Sequence, residues 1–565
     1  MFSKLKFIKL ILLLSPVLFV SCKKFLDINK DPNNPLQVEV SKLLPTAESS
    51  LGSALSIGNG TAGGLSQILE VYTHQMSTRE SQDQYGYTGS GFYLGTSWPT
   101  MYQSVLENLE KIIKLAGPAG DRQYVGVAKI LKAYAYSQFV DVFGDIPFSE
   151  ANRLDSSIRY PKFDDDATIY PKLIALLDEG IADVNNTTAL NLHKPKADDV
   201  IYGGNMARWA KAANTIKLKL YLQVRKVQNV QAQVTALLSN PSQLISATNE
   251  SFLLPYGPNG ATDDRNPAFG DYYATQRSNH VSPWFYEIMK GYNPNIFTGN
   301  PDPRVPYYIY NQIRSNTVTA DPTEYRDGAF VSIYFGSRGP NRDRNQQNVI
   351  SLFGIYPVGG RYDDGQGGVA SATVATGATP YRFITYADRL YMEAELINVG
   401  LATGDARAVL QAAMVESFKQ VDYVISTYVK PAQNVPVLNG TAAVTTYINK
   451  VLTEYDAGSA AKKLQVIMTE KWLSSVGSAV DQYTDYRRTG YPILFDPNNP
   501  AMAPGGFAQP PVNGNPQIVP QPAVLVQLSR PYPNSLPWFQ TELETNPNAP
   551  PQKDLVNSYK VFWMP

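Results

Sequence analysis

The chain has 565 residues, in which 49 lysines and arginines balance 49 aspartates and glutamates, with three histidines and one cysteine. A balance of that kind argues against a nucleic-acid or other polyanion partner, and a lone cysteine excludes an intrachain disulfide and any cysteine metal cluster. The length suffices for a large core, and a prior of ~150 residues per domain would allow three or four domains.

At the N-terminus Lys4, Lys6 and Lys9 precede an apolar run from Leu10 to Val20 that Ser15 and Pro16 interrupt. A spanning helix takes ~20 apolar residues, so residues 1–21 read as a signal peptide. Cys22 then follows Val20 and Ser21, which resembles a bacterial lipobox, with Phe19 standing where leucine is usual. That resemblance implies cleavage before Cys22 and a diacylglyceryl group, palmitate-like, on its sulfur. Two or three acyl chains, at ~0.8 kcal/mol per buried methylene, anchor a protein stably where one does not. The plainer alternative is a secreted protein whose cysteine falls near the cleavage point by chance. Without its three leader lysines the mature chain carries a charge of about −3.

Residues 22–45 are polar and turn-rich around Asp31-Pro32-Asn33-Asn34-Pro35, and read as a lipidated tether. Beyond it, 46–565 reads as a single domain dominated by helical periodicity. Ile169, Leu173, Leu176, Gly180 and Val184 share one helical face, as do Trp209, Ala213, Ile216 and Leu220. Further helices are expected at 98–116, 121–142, 383–399, 405–420, 441–456 and 461–477. Trp98 and Trp209 go to the core. Small residues such as Ala128, Ala133 and Ala135 at the contacts suggest tetratricopeptide-like pairs, although no clean repeat of ~34 residues is present. The fold class is therefore mainly α, with a helical core at about 65–226 and 383–480. Between these blocks, 251–380 holds 20 aromatics among glycine, asparagine and proline, and reads as long loops with short strands. The stretch 491–565 has 16 prolines, far above the ~5% average. Leu525, Leu528, Tyr532, Trp538, Phe539, Tyr559, Phe562 and Trp563 within it predict a wrap docked on the helices.

No motif nominates a catalytic centre. His74, His193 and His280 lack any ligand spacing, and no GxSxG elbow is present. The glycine-rich stretches 58–64 and 360–368 are neither P-loops nor GxGxxG turns. Asp164, Asp165 and Asp166 precede a helix and read as caps rather than metal ligands, while Asp363 and Asp364 in a glycine loop could hold calcium through oxygen. No metal and no cofactor is expected. A glycosidase-like carboxylate pair among 49 acids cannot be picked out by order alone.

Several segments together resemble the SusD/RagB family of surface lipoproteins. They are FLDINKDPNNP with LLPTAESSLG, then AYSQFVDVFGDIPFSEA (135–151) and WAKAANTIKLKL, then NPDPRVPYY around Asp302-Pro303-Arg304, FITYADRLYMEAEL, KLQVIMTEKWLSSVGSAVDQYTDYRRTGYP and YKVFWMP. They follow the family's order over nearly the whole mature chain, closest to its SusD-like branch; Asp388 departs from the family's usual glutamate and keeps its charge. The shared residues read as fold-making: Gly144 permits a turn, Pro147 fixes its exit, and Arg487 and Arg488 bind loop carbonyls or carboxylates of the wrap.

The resemblance implies a SusD-like α-α superhelix facing a large irregular, ligand-binding half. It also implies an outer-membrane, cell-surface lipoprotein for nutrient uptake, noncatalytic, that binds oligosaccharide and delivers it as a lid to a SusC-like TonB-dependent transporter. Alternatives are a peptide-binding lid on the same type of transporter, a lipid-anchored hydrolase with an unrecognised carboxylate pair, and a scaffold that binds protein helices in its groove. Sugar C–H faces pack on flat rings while hydroxyls bond to amides, carboxylates and guanidinium groups. On that chemistry the ligand-binding candidates are Tyr85, Tyr87, Phe92 and Tyr93 in a glycine-rich loop, and Tyr272, Tyr273, Arg277, Asn279 and Trp284. The plainer reading of each is a residue buried at a loop–helix contact.

Overall fold

A computed structural model describes residues 38–58, 63–79, 85, 94–258, 263–274, 277, 279–317, 324–337, 347–496, 499, 531–553 and 556–565. Cys22 and the leader lie outside the described residues, as do Leu525 and Leu528. No helix among the described residues is long and apolar enough to cross a membrane.

The first helical block comprises α1 (Val40–Leu55), α2 (Leu65–Tyr72), α3 (Leu94–Pro99), α4 (Glu107–Ala119), α5 (Arg122–Phe143), α6 (Asp166–Val184), α7 (Met206–Val224) and α8 (Gln231–Leu238). A π-helical stretch, Thr100–Leu106, joins α3 to α4. After the short α9 (Pro283–Met289), the second block is α10 (Tyr386–Asn398), α11 (Ala406–Val424), α12 (Ala442–Ala457), α13 (Ala460–Ser474) and α14 (Ala479–Thr489). Neighbours pack as helical pairs, α5 on α6 and α10 on α11, with α6 on α7 and α12 on α13 extending the stack. The fold is mainly helical and tetratricopeptide-like.

Two boundaries differ from the expectation. The tether reading of 22–45 fails from Val40 onward, because Leu43 and Leu44 are buried on α1. Pro45 suggests a break there, but burying those leucines outweighs one missing backbone bond. The helix expected at 383–399 starts at Tyr386, since Tyr381–Ile384 is a strand paired with Phe252–Leu254. Thr385 then forms a reciprocal cap with Asp388, whose carboxylate accepts from the Thr385 N–H at 2.8 Å.

Strands serve only as clasps. The other pairs are Met76–Thr78 with Asn279–Val281, Ile146–Pro147 with Phe163–Asp164, Ile309–Tyr310 with Leu352–Phe353, and Tyr325–Asp327 with Phe330–Ser332, all antiparallel. At the end of α5, Gly144 takes φ +73° and ψ −123°, and a Cβ there would lie 2.4 Å from the Tyr559 ring. The turn therefore needs glycine both for its backbone and for the room it leaves the C-terminal segment.

That segment docks by indole donors. Trp538 Nε1 donates to Asp145 O at 2.8 Å, and Trp563 Nε1 donates to Asp141 Oδ1 at 3.0 Å. Arg487 donates to Asn534 O at 2.6 Å and to the Asp141 carbonyl, with Trp563 stacked at 4.9 Å. Arg488 differs from the expectation: its hydrogen bonds among the described residues go to Glu395 of α10 and to Asp485 of its own helix, so it joins α14 to α10.

Helices α5 and α6 cross where Gly126 meets Gly180. A Cβ on Gly126 would lie 2.6 Å from Val184 Cγ1 and 2.7 Å from its backbone nitrogen. Alanine gains roughly 0.5–1 kcal/mol over glycine in a helix, whereas overpacking a rigid contact costs about 1–3 kcal/mol. Gly126→Ala is therefore expected to lower the urea midpoint. Gly117→Ala in α4, where a Cβ meets nothing within 4 Å, is expected to raise it. Equal and positive shifts would mean that the crossing is not tightly packed.

Candidate ligand-binding surface

The loop-rich half is organised around a buried arginine. Arg277 donates to the carbonyls of Asp271, Tyr272, Gln347 and Ala370 and to Gln312 Oε1. Gln312 completes the junction, its amide donating to Gln347 O and Ile350 O at 2.8 Å and its oxygen accepting from Ala370 N at 2.9 Å. A planar five-donor group suits this task, because one residue satisfies carbonyls from several chain segments at once.

Tyr272 is spent on the same frame. Its hydroxyl donates to Phe353 O and accepts from Arg361 N, both at 2.9 Å, and its ring stacks on Phe269 at 4.8 Å. Asn279, in a strand, donates to Asp271 Oδ2 at 2.7 Å and to Gly58 O, and accepts from Gln67. Burial pushes Asp271 up to about 7. Trp284 is buried with Nε1 donating to Ile493 O at 3.2 Å.

Tyr273 stands apart, with 46% of its surface exposed. The Arg265 guanidinium lies 4.7 Å from its ring centre and 5.2 Å from that of Phe269. Asp263 grips Arg265 with two bonds of 2.8 and 2.6 Å and accepts from the Tyr273 hydroxyl at 3.3 Å. Those bonds hold the Asp263 carboxyl down to about 2. The result is a ring edged by a fixed carboxylate and guanidinium. Tyr292, 45% exposed, forms a second such spot with Asp327 and Lys290.

Of the predicted ligand-binding residues, then, Tyr272, Arg277 and Asn279 meet in the interior around Asp271, Tyr273 lies at the surface beside them, and Trp284 is buried against Ile493 and Phe495. Tyr87, Phe92 and Tyr93 lie outside the described residues. Tyr85 is buried elsewhere, at φ +54°, against Tyr72 and His74. Asp263 and Arg265 escaped the sequence reading, since an Asp-x-Arg spacing carries no signal until folding stacks it on Tyr273.

The other polar candidates make bonds within the chain. Asp165 caps α6 through Thr168 N. The oxygens of Asp145, Asp165 and Asp166 lie within 4.8 Å of one another, but Asp145 accepts from Asp166 N and Asp166 from Phe562 N, both at 2.9 Å. Asp363 accepts from Gly365 N and Asn311. His193 bonds Asp121, and His280 is buried in a strand. His74 is fully buried, stacked on Phe335 at 4.0 Å. Its Nδ1 accepts from Phe495 N at 3.2 Å, so Nε2 carries the proton toward Tyr85 at 2.9 Å.

A family model named SusD-like, and described as starch-binding and associating with the outer membrane, matches residues 32–509. Among solved structures, a SusD homologue from Bacteroides fragilis is 18% identical with a TM-score of 0.65, covering 93% of this chain and 99% of that one. A SusD/RagB family protein from Bacteroides thetaiotaomicron is 19% identical, with a TM-score of 0.63 and coverage of 93% and 99%. A chitin-binding SusD homologue from Flavobacterium johnsoniae is 19% identical, with a TM-score of 0.56 and coverage of 81% and 87%. No curated protein matches by sequence.

Two outcomes follow from this geometry. Arg277→Lys leaves buried carbonyls without donors, at about 1–3 kcal/mol for each group stranded. Faster hydrogen exchange at 347–353 and 368–372 is expected, and unchanged exchange would deny the junction its role. Burial lowers His74 to about 3, below an unfolded value near 6.5. The unfolded chain therefore takes up a proton that the native state refuses, and stability falls as pH drops from 6.5 toward 3 by about 1.4 kcal/mol per unit. His74→Gln should flatten that slope relative to the parent in urea titrations at pH 6.5 and 4.5.

Proposed function

This chain belongs to the SusD/RagB family, and from that membership we propose that it is a noncatalytic, lipid-anchored surface protein that binds oligosaccharide and passes it, as a lid, to a SusC-like TonB-dependent transporter. The observation that carries the binding reading is the Tyr273 platform. An exposed ring beside a planar guanidinium and a carboxylate offers a sugar both a stacking face and fixed hydroxyl partners. The chitin-binding relative from Flavobacterium johnsoniae favours a polysaccharide fragment as ligand.

The noncatalytic reading has support in the same residues. A glycosidase acid must hold a proton near neutral pH, and Asp263 is held down to about 2. Among the carboxyls that burial raises, Asp271 is interior and bonded to Asn279, Glu70 is interior and accepts from Gly477 N, and Glu287 is interior and accepts from the Tyr325 hydroxyl. Lipid anchoring at Cys22 supplies the location and keeps the lid beside its barrel.

The test is titration of the soluble chain with oligosaccharides, with product release followed in parallel. Tyr273→Ala should weaken binding about tenfold, in line with ~1.4 kcal/mol for a lost aromatic contact, without changing the thermal midpoint. Binding that ignores Tyr273 would place the ligand elsewhere. A preference for peptides would replace the sugar, and release of reducing ends would end the noncatalytic reading.

A further inference from the structure

On the helical side, the loop between α6 and α7 displays two leucines to water. Leu190 is 72% exposed and Leu192 75%, although full burial of each would be worth ~1.5–3 kcal/mol. This is a built display. Between them Asn191 is buried at φ +43°, its N–H donating to Gly120 O at 3.1 Å and its Oδ1 accepting from Gln123 N at 3.0 Å. Its amide also reaches Asn186 O and Ala189 O. His193 fixes the far end, bonding Asp121 through both its backbone N–H and its ring. The backbone is thus pinned while the leucines face outward. They join Leu115 at the end of α4 and Val38, which are 43% and 45% exposed.

Leu192, Leu115 and Val38 border an open groove of about 800 Å³ that also presents Lys194 and Lys196, and Leu190 stands exposed two residues before Leu192. Of its acidic groups, Asp121 is bonded to His193 and Asp198 to the Tyr124 hydroxyl, which leaves Glu39 exposed. The groove's one aromatic, Tyr124, is buried.

We propose that this leucine-and-lysine surface rests on an anionic lipid membrane, with Leu190 and Leu192 entering the headgroup boundary and Lys194 and Lys196 facing lipid phosphates. Composition favours lipid over protein: energetic centres of protein interfaces are rich in Trp, Tyr and Arg and poor in Leu, whereas shallow membrane contacts pair aliphatic side chains with lysine. Position favours it as well. Val38 opens the described chain inside this groove, and the chain from Cys22 to Val38, at ~3.5 Å per residue, reaches at most about 55 Å. An anchor at Cys22 keeps this face near lipid at high effective concentration, so that a weak contact suffices. The inference rests on the lipid-anchor reading for its biological setting.

The test uses the chain from residue 23 onward, without lipid, and vesicles of phosphatidylcholine with roughly 30% phosphatidylglycerol. Cosedimentation of the parent is expected, and Leu190→Ser with Leu192→Ser should reduce partition about 10- to 100-fold. Lys194→Gln with Lys196→Gln should reduce it several-fold and remove its dependence on salt. Each position is exposed, so both variants keep the parent's thermal midpoint. Equal partition of parent and double serine variant, including none by either, overturns the proposal, as does protection of this loop by the barrel partner alone. Because the tested chain lacks Cys22, the result stands apart from the anchor reading, which fails separately if Cys22 carries no acyl mass in cells.

Discussion

One buried guanidinium seats the irregular half of this protein on its helices. Arg304 is wholly enclosed; it meets Asp302 at 2.6 Å, Glu470 of α13 at 3.2 Å and Ser417 of α11 at 3.2 Å, with Phe418 4.8 Å from its centre. Tyr447 of α12 completes the cluster by donating to Glu470 at 2.5 Å. Removing one partner of such a pair costs about 3–5 kcal/mol, because the other charge is left buried and unpaired. Three helices and the 302–308 turn are therefore fixed relative to one another at a single point. A long insertion poor in regular structure can hold one shape only if points of this kind are frequent.

They are, and each has the same logic. Arg277 gathers four carbonyls from three loop segments. Asp141 collects the Tyr170 hydroxyl of α6, the Trp563 indole and, at 3.6 Å, the Lys219 ammonium of α7, so the chain's last residues close the first helical block. Helical pairs supply a rigid wall by apolar packing. Buried planar donors then hold loops on that wall without needing a sheet, and a surface such as Tyr273 with Asp263 stands above them.

The helices were legible because their apolar residues repeat every three or four positions, and the Gly126–Gly180 crossing even left its glycine in the α6 pattern. The start of α1 was hidden by Pro45, whose local cost is smaller than the burial of Leu43 and Leu44. The proposed ligand surface was only partly legible. Loop aromatics look alike in order, and what separates exposed Tyr273 from buried Tyr272 is one residue of register on a 3₁₀ turn, Pro267–Tyr272. Arg277 and Asn279 carried the right chemistry for a sugar, yet that same hydrogen-bonding capacity is taken up by carbonyls and amides of the chain itself. Asp263 and Arg265 become a pair only in space.

The most direct test of this account is hydrogen exchange of the soluble chain with and without a bound oligosaccharide. Protection gathered at 263–274 and the adjoining 359–377 segment, with the helical pairs unchanged, is the predicted result. Protection confined to a groove between helices, such as that of α6 and α7, would contradict the claim that the loop-built face is where this protein meets its ligand.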